Sequence, residues 1–110
     1  MTVTANRLVV TARLKPGAAD AAAELLAKGP PFDPEELGFH RHTVFRSAGE
    51  LVFVFEAPQV EWAVRELADD PAVAAVFAEW APLFEEPPRV AQEEYHWERL
   101  LQWERLGLGL

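Results

Sequence analysis

At 110 residues, half of them hydrophobic and a quarter charged, the chain fits one folded domain with a real core and does not fit disorder. The absence of cysteine excludes disulfides, zinc–thiolate sites and cysteine catalysis, while no apolar run reaches membrane length and MTVTANRLVV lacks a signal-peptide pattern, so a cytoplasmic protein is expected. The net charge of −8 comes wholly from residues 51–110, where four basic side chains meet twelve acidic ones against six of each before, and an acidic half with scattered basic groups argues against nucleic acid as a partner.

Residues 7–14 alternate as a strand, with Leu8, Val10, Ala12 and Leu14 on one face and Arg7, Val9, Thr11 and Arg13 on the other. Pro16-Gly17 ends it. The alanine-rich run from Ala18 to Lys28 has the composition of a helix, with Asp20 and Glu24 toward its positive end and Gly29-Pro30-Pro31 as its stop. Asp33-Pro34-Glu35-Glu36 has the cap, proline and acidic first turn of a single helical turn.

Two strands follow, 39–47 and 50–57, joined at Ala48-Gly49, where glycine is expected to supply the positive φ of a tight hairpin. A two-residue loop sets Arg46 opposite Leu51, Val44 opposite Phe53 and His42 opposite Phe55. One face then carries His40, His42, Val44, Arg46, Leu51, Phe53 and Phe55. The other carries Arg41, Thr43, Phe45, Val52, Val54 and Glu56, with Arg41 across from Glu56. A second helix, 59–69, buries Val60, Val64 and Leu67, and Trp62, Arg65, Glu66 and Asp69 share a second line on it. A third, 72–83, has Val73, Val76, Phe77 and Trp80 as its apolar face. Residues 89–97 read as a closing strand and 99–106 as a short amphipathic tail, so the domain spans 1–110 with its core at about 7–97 and a tail at 98–110.

Strand, helix, hairpin, helix, strand is the split βαβ order, an α+β arrangement in which a four-stranded antiparallel sheet carries its helices on one face. The uncovered face, with Val9, Thr11, Thr43, Phe45, Val52 and Val54, is also apolar. Its simplest partner is the same face of a second copy, so a homodimer through the sheet faces is expected.

Arg13-Leu14-Lys15-Pro16-Gly17 leading into a helix, then Trp80-Ala81-Pro82-Leu83-Phe84, and the closing Glu93-Glu94-Tyr95-His96-Trp97 resemble the ferredoxin-like dimeric α/β-barrel superfamily over roughly residues 7–97. The texture is nearest to L-rhamnose mutarotase-like and related uncharacterised small proteins. Those mutarotases are similar in placing a catalytic histidine on the first helix, but Ala22-Ala23-Glu24-Leu25-Leu26-Ala27 contains none, so sugar mutarotation does not carry over. Other members that this chain resembles in fold are cofactor-free monooxygenases, polyketide cyclases, haem-handling proteins or proteins without known activity.

His40 and His42, at i and i+2 on one strand, share a face with Phe53 and Phe55. Such a pair inside an apolar pocket suits proton transfer near neutral pH, and at a sheet edge it is simply half exposed. The remaining histidine, His96, belongs to the opposite edge, roughly 14 Å away across three strand spacings, so no metal site is expected. Ser47 is the sole serine and sits in a turn without a nucleophile elbow, and the six glycines form no phosphate loop. Trp62, Trp80, Tyr95 and Trp97 either line a cavity for a flat apolar ligand or fill core and dimer contacts. The sequence therefore points to a small-molecule enzyme of isomerase, cyclase or monooxygenase type, with no bound cofactor. His40 and His42 would be its catalytic pair, and Phe53, Phe55, Trp62, Trp80 and Tyr95 its ligand contacts. The competing reading is a non-catalytic ligand-binding or assembly module.

Overall fold

In the computed structural model, which describes residues 6–99, four strands form one antiparallel sheet: β1 (Asn6–Arg13), β2 (Arg41–Arg46), β3 (Glu50–Ala57) and β4 (Arg89–Ala91). Their spatial order is β2-β3-β1-β4, so the two strands nearest the chain ends in sequence, β1 and β4, pair directly, and the hairpin lies to the other side of β1. The hairpin register is the one its alternation predicts, with His42 opposite Phe55, Val44 opposite Phe53 and Arg41 opposite Glu56. Alternation can specify it because a one-residue slip would move every apolar side chain of β3 to the wrong face. The turn differs from expectation. Gly49 does not adopt the left-handed conformation; instead Ser47 N–H donates to the Glu50 carbonyl at 2.9 Å, and the Gly49 carbonyl accepts from Leu14 N–H at 2.9 Å. The two-residue loop is thus closed locally, and a contact from the neighbouring end of β1 is added to it.

The helices α1 (Ala19–Ala27), α2 (Val60–Ala68) and α3 (Pro71–Trp80) accompany the sheet, and a 3-10 turn (Ala81–Leu83) follows α3. Ala22 of α1 is fully buried, in one cluster with Ala12, Leu14 and Leu51 of the sheet side. Gly29, at φ +80°, ends α1 in the left-handed conformation that glycine alone adopts without strain. The single helical turn expected at Asp33 is present: Asp33 Oδ1 accepts from Glu35 N–H at 3.0 Å and the Asp33 carbonyl accepts from Leu37 N–H at 3.3 Å. Phe39 N–H then donates to the Pro34 carbonyl at 2.9 Å and the chain turns back toward the sheet.

The core is divided. One cluster gathers Ala12, Leu14, Ala18, Ala22, Leu51 and Phe84 beneath α1, and the other gathers Phe39, Phe55, Ala57, Val60, Ala63 and Leu67 beneath α2. Phe53 touches both and marks the seam. Among the described residues no helix covers the opposite sheet face, and Phe45 there is 59% exposed.

The closing strand is shorter than its sequence suggests. Pairing with β1 runs only from Thr11–Arg89 to Val9–Ala91, and residues 92–97 continue without a ladder. Every side chain from Gln92 to Arg99 is exposed, so no buried face fixes that segment as a strand. Side chains tether it: Arg7 reaches Glu93 at 2.6 Å and also His96 Nδ1. The tail expected after residue 98 lies almost wholly outside the described residues.

Candidate functional site

Between the helical layer and the sheet lies a cleft of about 1540 Å3, partly open to solvent. That exceeds the roughly 300–1,000 Å3 of an ordinary ligand pocket. Its floor is the seam of the core, where Val10, Val44, Phe53 and Phe55 present their side chains. Leu25 and Leu26 of α1 form one wall; Val73, Val76, Phe77 and Trp80 of α3 form the other. Trp80 stands edge-on to Phe53, centroids 6.2 Å apart at 86°, and stacks on Phe84.

His42 is the one polar side chain of this floor with a defined environment. Its ring stacks on Phe55 at 4.4 Å and 18°, and Phe32 leans against it at 5.5 Å. His42 Nδ1 lies 3.1 Å from the Val54 carbonyl oxygen. A carbonyl can only accept, so Nδ1 carries the proton and Nε2 is the basic nitrogen of the neutral ring. Burial pushes the imidazole below its ordinary value of 6.5, and the bond to Val54 offsets part of that. The outcome is a neutral imidazole of fixed tautomer against an apolar cleft, able to take a proton through Nε2.

His40 also borders the cleft but is exposed, just before β2, where its backbone N–H donates to the Glu56 carbonyl at 2.7 Å. It stands at the rim, about 7 Å from His42 along the strand. Of the aromatic residues singled out in the sequence, Phe53, Phe55 and Trp80 come together in the cleft. Trp62, Tyr95 and Trp97 do not: Trp62 is 55% exposed on the outer side of α2, and Tyr95 and Trp97 are 81% and 70% exposed beyond β4. His96 contacts Arg7, Glu93 and Glu98 and does not line the cleft. Among the described residues, no three of His, Asp and Glu come together as a metal-ligand group.

Sequence reasoning missed Phe32 and Phe39. Both flank the loop after Gly29-Pro30-Pro31, and Phe39 packs on Phe55 at 5.4 Å. Phe32 and Phe39 also meet each other at 6.1 Å, closing an aromatic cage around the His42–Phe55 stack. The usable signal was two aromatics bracketing a proline-rich loop that runs directly into His40-Arg41-His42. Also missed was Lys28 Nζ, 3.8 Å from Glu79 Oε2, an ion pair joining the end of α1 to α3.

The element order, the β2-β3-β1-β4 sheet and the position of the helices decide the architecture. The fold is ferredoxin-like. No family model matches the chain and no curated protein does. Solved structures do. The chain is similar to a protein of unknown function from Nitrosomonas europaea, with 23% identity over 90% of this chain and 96% of that one, at a TM-score of 0.68. It is similar to tetracenomycin F2 cyclase of Streptomyces glaucescens, a type II polyketide cyclase, with 18% identity over 86% and 99% of the two chains and a TM-score of 0.67. An antibiotic biosynthesis monooxygenase matches at 15% identity over 82% and 97%, with a TM-score of 0.66. At these identities the likeness is one of ferredoxin-like fold, and the nearer mutarotase texture read from the sequence gains no support from it. No helix of the described residues is long and apolar enough to cross a membrane.

Proposed function

We propose that this ferredoxin-like chain is a small-molecule enzyme of isomerase, cyclase or monooxygenase type, acting without a bound cofactor on an apolar or aromatic substrate held in the cleft. The observation that carries the reading is His42. Its proton is committed to the Val54 carbonyl, its ring is stacked on Phe55, and it lines a cleft wide enough for a multi-ring ligand. Nε2 takes a proton from an acidic C–H or hydroxyl of the substrate and becomes imidazolium, which exchanges with solvent and returns a proton to another substrate atom. His40 at the rim exchanges protons with water. A cyclase and a monooxygenase with this fold support a small-molecule reading.

The working form under this proposal is a cytoplasmic homodimer joined through the uncovered sheet faces. Exposed Phe45 and the neighbouring Val52 and Val54 support that contact. The same exposed surface favours the second reading, a non-catalytic binding or assembly module. One experiment separates them. 2-Tetralone, a flat ketone with an acidic ring C–H, is incubated in D2O with the protein, and deuterium uptake is followed by proton NMR. The enzyme reading expects uptake faster than with equal free imidazole, lost in His42→Phe and slowed in His40→Asn. Uptake no faster than imidazole, or unchanged in His42→Phe, rejects it in favour of the module.

A further inference from the structure

The helix α3 is built unlike the other two. Of its ten residues only Glu79 is polar, yet none of the ten is buried. A helix apolar all round belongs in a protein interior, so α3 is under-packed where it stands. It is anchored firmly at its ends, and in its middle by the tilted contact of Phe77 with Phe84, centroids 6.2 Å apart. Near its start, Val73 packs against the cluster under α2, and Asp70 caps the helix by accepting from Ala72 N–H at 2.8 Å. At its end, Trp80 rests on Phe53 and Phe84. Between them Val76 and Phe77 face the open cleft, and Phe77 is 48% exposed. Two residues, Asp69 and Asp70, connect α3 to α2, and the 3-10 turn at Ala81–Leu83 follows it, giving a short joint at each end.

The lone charged side chain of α3 spans to the far wall. Glu79 Oε2 lies 3.8 Å from Nζ of Lys28, the residue that caps the C-terminal end of α1, with both side chains largely exposed. An exposed pair of this kind holds weakly and breaks readily.

We propose that α3 is a lid over the cleft, latched to α1 by the Lys28–Glu79 pair, and that an apolar ligand draws it down onto the sheet. The ligand fills the space beneath Val76 and Phe77 and adds apolar contact to the one Phe77 makes with Phe84. The latch opens for access and closes behind the ligand, which keeps water from His42 during proton transfer. This inference rests on the cleft being a ligand site, as proposed above.

The test uses the full chain and prodan, a neutral naphthalene fluorophore whose emission reports an apolar site, in stopped-flow binding and release. Glu79→Gln and Lys28→Gln are expected to speed release roughly two- to fivefold, the worth of one exposed ion pair, and the swap Lys28→Glu with Glu79→Lys to restore the original rate. The chain has no cysteine, so Lys28→Cys with Glu79→Cys gives a single cross-linking pair. Joining it with a short bis-maleimide is expected to slow both entry and release on the order of tenfold. Binding that is displaced by Phe53→Trp but has rates indifferent to the latch variants and to the cross-link overturns the lid and leaves the cleft reading standing. Absence of prodan binding, or binding indifferent to Phe53→Trp, overturns the cleft reading and the lid with it.

Discussion

Phe55 joins the stability of this protein to its candidate chemistry, and replacing it should disturb both. The ring is 8% exposed, lies 4.4 Å from His42 and 5.4 Å from Phe39, and belongs to the cluster beneath α2. Leucine keeps most of the volume but forfeits two aromatic pairs, each about 0.5–1.5 kcal/mol, so Phe55→Leu should cost about 1–3 kcal/mol. Phe55→Ala opens a cavity and should cost about 3–5 kcal/mol. Against the 5–15 kcal/mol typical of small domains, roughly, the leucine variant stays folded and the alanine variant approaches the threshold. Urea unfolding followed by tryptophan fluorescence measures both. The second readout is His42 itself. Phe55 is part of the apolar surround that depresses the imidazole, so water admitted in Phe55→Ala should raise its titration midpoint toward 6.5. With three histidines in the chain, proton NMR can follow that signal separately. A loss below about 0.5 kcal/mol in Phe55→Leu, together with an unmoved His42 titration in Phe55→Ala, would refute this account of the site.

The depressed pKa of His42 also fixes a pH dependence. Above 6.5 the ring is neutral in folded and unfolded chains alike, and as pH falls below 6.5 the unfolded chain binds the proton first, so stability drops. His42→Phe removes this linkage; between about pH 8 and pH 5 its urea midpoint should gain on that of the unmodified protein, and a constant difference would show that the ring titrates alike in both states. Leu51, wholly buried in the cluster beneath α1, should cost about 2–5 kcal/mol when replaced by alanine, lowering Tm by about 4–8 °C per kcal/mol. Phe45→Asp, on the uncovered sheet face, should convert a dimer to a monomer in sedimentation while leaving helical content unchanged. An unmodified chain that already sediments as a monomer, or a dimer indifferent to Phe45→Asp, rules out association through that face.

Much of this architecture is written in local pattern. The period-two rows of β1 and β3 specify which side chains face the helices, because any slip in register would expose Leu51 and Phe55. Proline, glycine and the alanine run mark where helices begin and end for equally local reasons of backbone geometry. The His42–Phe55 pairing followed from the same counting. What local pattern left open was decided at a distance. Gly49 does not take the positive φ expected of it, and its carbonyl accepts from Leu14, thirty-five positions earlier. The closing strand stops at Ala91, and Gln92–Trp97 stay exposed with no buried face among the described residues, which alternation alone could not reveal. Tyr95 and Trp62 read as ligand contacts by residue type, but burial depends on what packs opposite, and both are exposed. The cage of Phe32 and Phe39 around His42 arises from a loop with no period to read. The sequence by itself determined the order of elements, the sheet faces and the histidine on the inner face. Only the tertiary structure decided that the core divides at Phe53, that a cleft opens there beneath an under-packed α3, and that Val54 sets which nitrogen of His42 is the base, since each depends on groups brought together across the fold.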